Sequence, residues 1–121
     1  MNINLKINAV ERISSEGEHC AFTDLIENPF DNSRKSLLCC YRRALNHISP
    51  DGVVIVCKEN IDSGAKTYQR LALPSWDLRD PKFCFDGRKL IITAYAKHKD
   101  ANTGAVTTKM VSYFSTTGDS W

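Results

Sequence analysis

The segment Arg34-Lys35-Ser36-Leu37-Leu38-Cys39-Cys40-Tyr41 recurs 54 positions later as Arg88-Lys89-Leu90-Ile91-Ile92-Thr93-Ala94-Tyr95. A second match follows, because the segment ending at Tyr68 resembles the one ending at Trp121 at an offset of 53. A fixed period of this size constrains the fold strongly. Each repeat is one supersecondary unit that leaves an apolar face for its neighbour to cover.

The unit is built of strands. Helical periodicity is nearly absent, and β-branched or aromatic runs of five to ten residues lie between turn signals. Asn2–Ile13 alternates, with Ile3, Leu5 and Ile7 on one face, and reads as an amino-terminal strand. Cys20–Glu27, Ser36–Arg43, Val53–Lys58 and Lys66–Leu73 follow, then Lys82–Phe85, Arg88–Lys97 and Ala105–Ser115. Asn28-Pro29, Pro50-Asp51-Gly52, Asp62-Ser63-Gly64, Asp86-Gly87 and Asn102-Thr103-Gly104 supply the reversals. The reading is one all-β domain over 1–121. It divides into an amino-terminal strand (1–18), a first repeat (19–74) and a second (75–121), each repeat a four-stranded antiparallel blade of propeller type. A small β-sandwich or barrel is the alternative.

Composition narrows the function. Net charge is +2 with Lys and Arg scattered, which gives no nucleic-acid footprint. Apolar runs such as Val53–Cys57 are too short to span a membrane, and residues 1–20 lack a signal-peptide pattern. Five cysteines without framework spacing point to reduced thiols and a cytoplasmic protein. Cys39 and Cys40 fall on opposite faces of a strand, and His19 adds no zinc spacing, so neither a metal site nor a cofactor is expected.

Asn60-Ile-Asp62-Ser-Gly64-Ala-Lys-Thr67-Tyr68 resembles the Asp-box, the Ser-x-Asp-x-Gly-x-x-Thr-Trp turn of sialidase-type propellers, with Asn for Ser and Tyr for Trp. Ser115-Thr-Thr-Gly118-Asp-Ser-Trp121 is similar to a shortened copy without the Asp. His19-Cys-Ala-Phe-Thr-Asp24-Leu, Cys40-Tyr-Arg42-Arg43 and Asp77-Leu-Arg79-Asp80-Pro81-Lys82 resemble the opening of sialidase-like (BNR-repeat) propellers. Arg-Asp-Pro also starts an inner strand in invertase- and arabinanase-type glycosidases. The likeness runs from His19 to the end of the chain but matches only about the first third of such a protein.

In these families the ligand face is built from the starts of innermost strands and the ends of second strands. The resemblance therefore implies a mouth holding Asp24 and Asp80 as candidate catalytic carboxylates. Arg42, Arg43, Arg79 and His47 are candidate ligand-binding residues, with Lys97 and His98 nearby. Arginine reads a sugar carboxylate through two parallel hydrogen bonds. The structural alternatives are a turn cap for either Asp and an ion pair for Arg42. Tyr41 and Trp76 read as core rings. The family's later arginines, Tyr and Glu have no counterpart here, so a non-catalytic glycan-binding or degenerate glycosidase-like protein is favoured over an enzyme. Two blades do not close a ring of four to eight. Self-association follows as an expectation, as a dimer or as a trimer completing six blades, with Asn2–Ile13 able to supply a fourth strand to the second blade. A protein-interaction module using exposed strand edges, or a glycosidase site assembled between chains, are the other readings.

Overall fold

The computed structural model describes residues 6–7, 9–14 and 19–121, and within them every regular element is a strand. The seven strands are β1 (His19–Glu27), β2 (Ser36–Ala44), β3 (Val53–Asn60), β4 (Lys66–Leu71), β5 (Asp77–Phe85), β6 (Leu90–Lys99) and β7 (Val106–Ser115). They form two antiparallel meanders, a four-stranded sheet β1-β2-β3-β4 and a three-stranded sheet β5-β6-β7. The second unit therefore has three strands among the described residues, where four were expected. Lys6, Ile7 and Ala9–Ile13 are not in a strand, and the rest of the strand expected over Asn2–Ile13 lies outside the described residues. Ile13 packs on the first sheet, its carbonyl accepts a bond from Tyr68 Oη at 3.0 Å, and no described residue of this segment joins the second sheet. No helix of the described residues is long and apolar enough to cross a membrane.

The repeat is real at the level of backbone pairing, but its register differs from the sequence match. The seven β1–β2 pairs, from His19↔Ala44 to Glu27↔Leu37, recur one for one as Asp77↔Lys97 to Phe85↔Leu90. Each first strand carries one extra residue, in the intervals Ala21/Asp24 and Arg79/Lys82. A left-handed backbone sits in each bulge, at Phe22 (φ 58°) and Asp80 (φ 48°), the fourth residue of its nine-residue strand. By this pairing Leu38 corresponds to Ile91, not Ile92, one residue short of the 54-residue offset.

That single residue decides how the sheets stack, because a one-residue shift exchanges the two faces of a strand. Leu38, Cys40, Val54, Val56 and Leu71 of the first sheet share one core with Leu78, Leu90, Ile92, Ala94 and Ala96 of the second. Ile92 and Ala94 correspond to Cys39 and Tyr41, which lie on the far face of the first sheet. The sheets thus pack head to tail, the front of the first against the back of the second. Burying these aliphatic side chains contributes roughly 1.5–3 kcal/mol for each large one. The carboxy-terminal turn closes one end of this core. Lys58 pairs with Asp119, Gln69 donates to the Asp119 carbonyl, and the Trp121 ring lies 6.2 Å from Phe83.

Candidate functional site

The loop 45–52 between β2 and β3 reaches over the start of β5, and this crossing organises the polar end of the molecule. Inside the loop, Asn46 Oδ1 accepts the amides of Ile48 (3.0 Å) and Ser49 (2.8 Å), and Asp51 accepts the amide of Leu45 at 3.2 Å. Leu78 N then donates to Gly52 O at 2.9 Å, fixing β5 against the loop. These side-chain bonds hold the loop backbone in a turn where no ladder bonds are made.

Arg42 emerges under this loop, fully buried. Its Nη2 donates to Asp77 Oδ1 (2.9 Å) and to the Ser49 carbonyl (2.8 Å), Nε donates to Asp77 Oδ1 (3.1 Å), and Nη1 donates to the Asn46 carbonyl (3.2 Å). The guanidinium is committed to the fold, and no part of it reaches solvent. Arg43, next along an alternating strand, points the other way and lines a cleft on the far face with Tyr41, Ile55, Tyr68 and Arg70. Arg42 and Arg43 therefore do not share a site.

Arg79 does face a cleft. Its Nε donates to Asp77 Oδ2 at 2.7 Å, and Ile48, Pro50, Asp77, Arg79, Lys97 and Lys99 enclose about 270 Å³. The single carboxylate here, Asp77, is held by Arg42 and Arg79, and no carboxylate among the described residues pairs with Lys97 or Lys99. The cleft is open and cationic. It sits at the start of β5 and the end of β6, the end of the strands where the sequence placed a mouth.

The two carboxylates of the expected mouth lie elsewhere. Asp24 Oδ2 accepts Phe83 N at 2.8 Å across the β1–β5 junction, and Oδ1 accepts the neighbouring Leu25 N at 3.1 Å, so both oxygens are taken by backbone amides. Lys82 Nζ donates back to the Thr23 carbonyl at 3.1 Å and completes this staple. Asp80 is exposed in the bulge of β5, with no hydrogen bond to a described residue, and Asp24 and Asp80 are not joined to one another. His47 is exposed, its ring 5.3 Å from His19 and 5.6 Å from Phe22. His98 Nδ1 lies 2.7 Å from the Ser75 carbonyl, so that nitrogen carries the proton and donates. Tyr41 is a core ring, and burial pushes its hydroxyl up to about 12. Among the described residues no group of three His, Cys, Asp or Glu side chains could hold a metal ion.

Asp77 and Lys99 were not singled out in the sequence, although the alternation Asp77, Arg79 and Lys97, Lys99 places each pair on one face. The turn at Asn102-Thr103-Gly104 was expected, but its likeness to the turn that follows β3 was not. Asn60-Ile-Asp-Ser-Gly-Ala65 and Asp100-Ala-Asn-Thr-Gly-Ala105 fold alike: Asn60 Oδ1 accepts the amides of Asp62 and Ser63, and Asp100 Oδ1 those of Asn102 and Thr103. Ser115 Oγ accepts the amides of Thr117 (3.3 Å) and Gly118 (2.8 Å), the same i+2, i+3 pattern after β7 that Asn60 makes after β3. Compared with protein-family models, curated proteins and solved structures, the chain matches none.

Proposed function

We propose that this chain is a non-catalytic carbohydrate-binding module made of two sialidase-like propeller blades, and that it takes an acidic sugar in the cleft of Arg79, Lys97 and Lys99. The observation that supports this reading is the cationic cleft itself, whose only carboxylate is neutralised from within. A sugar carboxylate there meets two ammonium groups and a guanidinium, while Ile48 and Pro50 offer apolar contact to the ring. Charge-assisted hydrogen bonds of this kind are worth about 1.5–3 kcal/mol each. Binding without hydrolysis follows from the carboxylates. Glycoside hydrolysis needs a pair, separated by about 5 Å or roughly 6.5–9.5 Å, and Asp24 spends both oxygens on backbone amides.

Titration calorimetry with an N-acylneuraminate, with neutral galactose and with inorganic phosphate tests the reading. The acidic sugar is expected to bind, galactose not to bind, and Lys97→Gln with Lys99→Gln to weaken the sugar by tenfold or more, about 1.4 kcal/mol. Phosphate binding without sugar binding, or no binding of either, sinks the proposal.

A further inference from the structure

Packing the back of the second sheet into the core leaves its front uncovered. Along β6 the buried Leu90, Ile92, Ala94 and Ala96 alternate with half-buried Ile91, Thr93, Tyr95 and Lys97, so the two faces separate residue by residue. On the uncovered face, ladder pairs set Ile91 beside Phe114 and Tyr95 beside Met110. Met110 is 65% exposed and Phe114 58% exposed. Adjacent exposed apolar side chains of this size mark an interaction surface. The charges around them are of one sign. Arg79, Lys97 and Lys99 stand at one end of the face, and at the other Lys89 Nζ lies 4.8 Å from the centre of the Phe114 ring. Among the described residues, the one carboxylate that the ladder sets on this face is Asp77, already held by Arg42 and Arg79.

We infer that this uncovered face docks one amphipathic helix of a partner protein, apolar along one stripe and acidic on its flanks. A sheet with an apolar face is completed by a second layer, and the dimensions here select a helix. Three strands about 4.8 Å apart make a face roughly 10–15 Å wide, which a single helix about 10–12 Å across covers. From Lys99 to Ile91 the face runs eight residue steps along β6, roughly 27 Å at about 3.4 Å each, the length of a helix of about 18 residues. Acidic flanks then meet Lys97 and Lys99 at one end and Lys89 at the other, while the apolar stripe lies on Tyr95, Met110, Ile91 and Phe114 between them. Charge complementarity of this kind sets both the partner and its orientation. Every regular element of the described residues is a strand, so the helix belongs to a different protein. The contact uses the face of the sheet and leaves the strand edges free. It does not depend on the sugar reading: the two share Arg79, Lys97 and Lys99, but only the helix needs Met110 and Phe114.

Fluorescence anisotropy on the full chain tests this with three labelled synthetic peptides of about 18 residues. One carries leucines at helical i, i+3, i+4, i+7 spacing with glutamate flanks, one the same leucines with lysine flanks, and one the glutamate peptide's composition in scrambled order. The glutamate peptide is expected to bind at least tenfold more tightly than either of the others. Phe114→Ser with Met110→Ser is expected to weaken it tenfold or more, and so is Lys89→Gln with Lys97→Gln. The first of these variants is expected to leave titration with N-acylneuraminate unchanged. Circular dichroism checks that each variant keeps its strands; where the serine pair loses them, Phe114→Gln alone takes its place. No binding of the glutamate peptide, equal binding of the lysine or scrambled peptide, or binding that survives both variants overturns the inference. So does a chain that sediments alone as a dimer and becomes a monomer with Phe114→Ser and Met110→Ser, because the occupant is then a second copy.

Discussion

Arg42 of the first sheet and Asp77 of the second face each other across the sheet junction, Nη2 2.9 Å and Nε 3.1 Å from the same carboxylate oxygen, with side chains 0% and 3% exposed. The pair is surrounded by further acceptors and donors, since Ser49 and Asn46 carbonyls take the other guanidinium protons and Arg79 holds Asp77 Oδ2. Removing one member of such a pair leaves a buried charge uncompensated. Asp77→Ala is therefore expected to cost about 3–5 kcal/mol in chemical denaturation, while replacing both residues by apolar ones (Arg42→Met, Asp77→Leu) costs far less. Equal losses in the single and double variants would contradict this account.

Gly52 tests the same junction from its backbone. A Cβ there would lie 2.0 Å from Asp77 Oδ1, 2.6 Å from Arg42 Nε and 2.8 Å from the Leu78 carbonyl, which cannot rotate away. Gly52→Ala is expected to destabilise by about 2 kcal/mol or more, as overpacking of a tight contact does. Because the methyl group displaces the ion pair, its effect and that of Asp77→Ala are expected to be less than additive. A fully additive double-mutant cycle would show that the glycine is needed for some other reason.

The strands were legible because alternation and turn residues are local signals: β2, β3 and β7 begin within one residue of their expected positions. The stacking was not. Similarity between Arg34–Tyr41 and Arg88–Tyr95 suggests an offset of 54, whereas β2 and β6, matched through their equivalent pairings with β1 and β5, correspond at an offset of 53. Side-chain similarity along one strand carries no information on register against its partner. Arg42 failed for a related reason. A strand-end arginine reads as a ligand group until the 45–52 loop and the start of β5 are known to close over it. The candidate cleft was half visible, in Arg79 and Lys97, and its other half depends on which face those strands present.

Asp80 occupies the left-handed region at φ 48°, where a side chain is strained and glycine is not. It is exposed and makes no hydrogen bond to a described residue. Asp80→Gly is expected to be neutral or to raise stability by up to about 1 kcal/mol, despite the greater backbone freedom of glycine in the unfolded chain. The corresponding change Phe22→Gly removes a ring packed beside His47 and is expected to destabilise. Thermal unfolding of the two variants, shifting in opposite directions, is the result that fits a conserved bulge geometry with unequal side-chain roles.

The five thiols are all free, but they differ in access. Cys84 is exposed, Cys20 is half-buried, and Cys39, Cys40 and Cys57 are buried. Burial pushes the Cys39 thiol up to about 11 and the Cys40 thiol up to about 12, which starves both of the reactive thiolate at neutral pH. With an aromatic disulfide reagent at pH 7.5, Cys84 is expected to react first and Cys39 and Cys40 only on unfolding. Fast modification of two or more of the buried three would show that the first sheet opens readily.

Acid is expected to loosen the turns before the core. Asp31 is held well below the usual carboxylate range by hydrogen bonds from the Ser33 and Ser36 hydroxyls, Asp86 is lowered by the amides of Lys89 and Arg88, and Asp100 is lowered by the amide of Thr103. In each case the folded chain holds the proton less tightly than the unfolded chain. The stabilisation is therefore complete above the unfolded value of about 3.9 and is lost as pH falls through the lower folded values. Urea midpoints are expected to stay level from neutral pH to about 5 and to fall below about pH 4. Asp31→Asn is expected to flatten part of that fall, because an amide cannot titrate. Hydrogen bonds rather than distant charges cause these shifts, so roughly 1 M salt should leave the acid limb in place. An acid limb that salt abolishes would instead assign it to long-range charge repulsion.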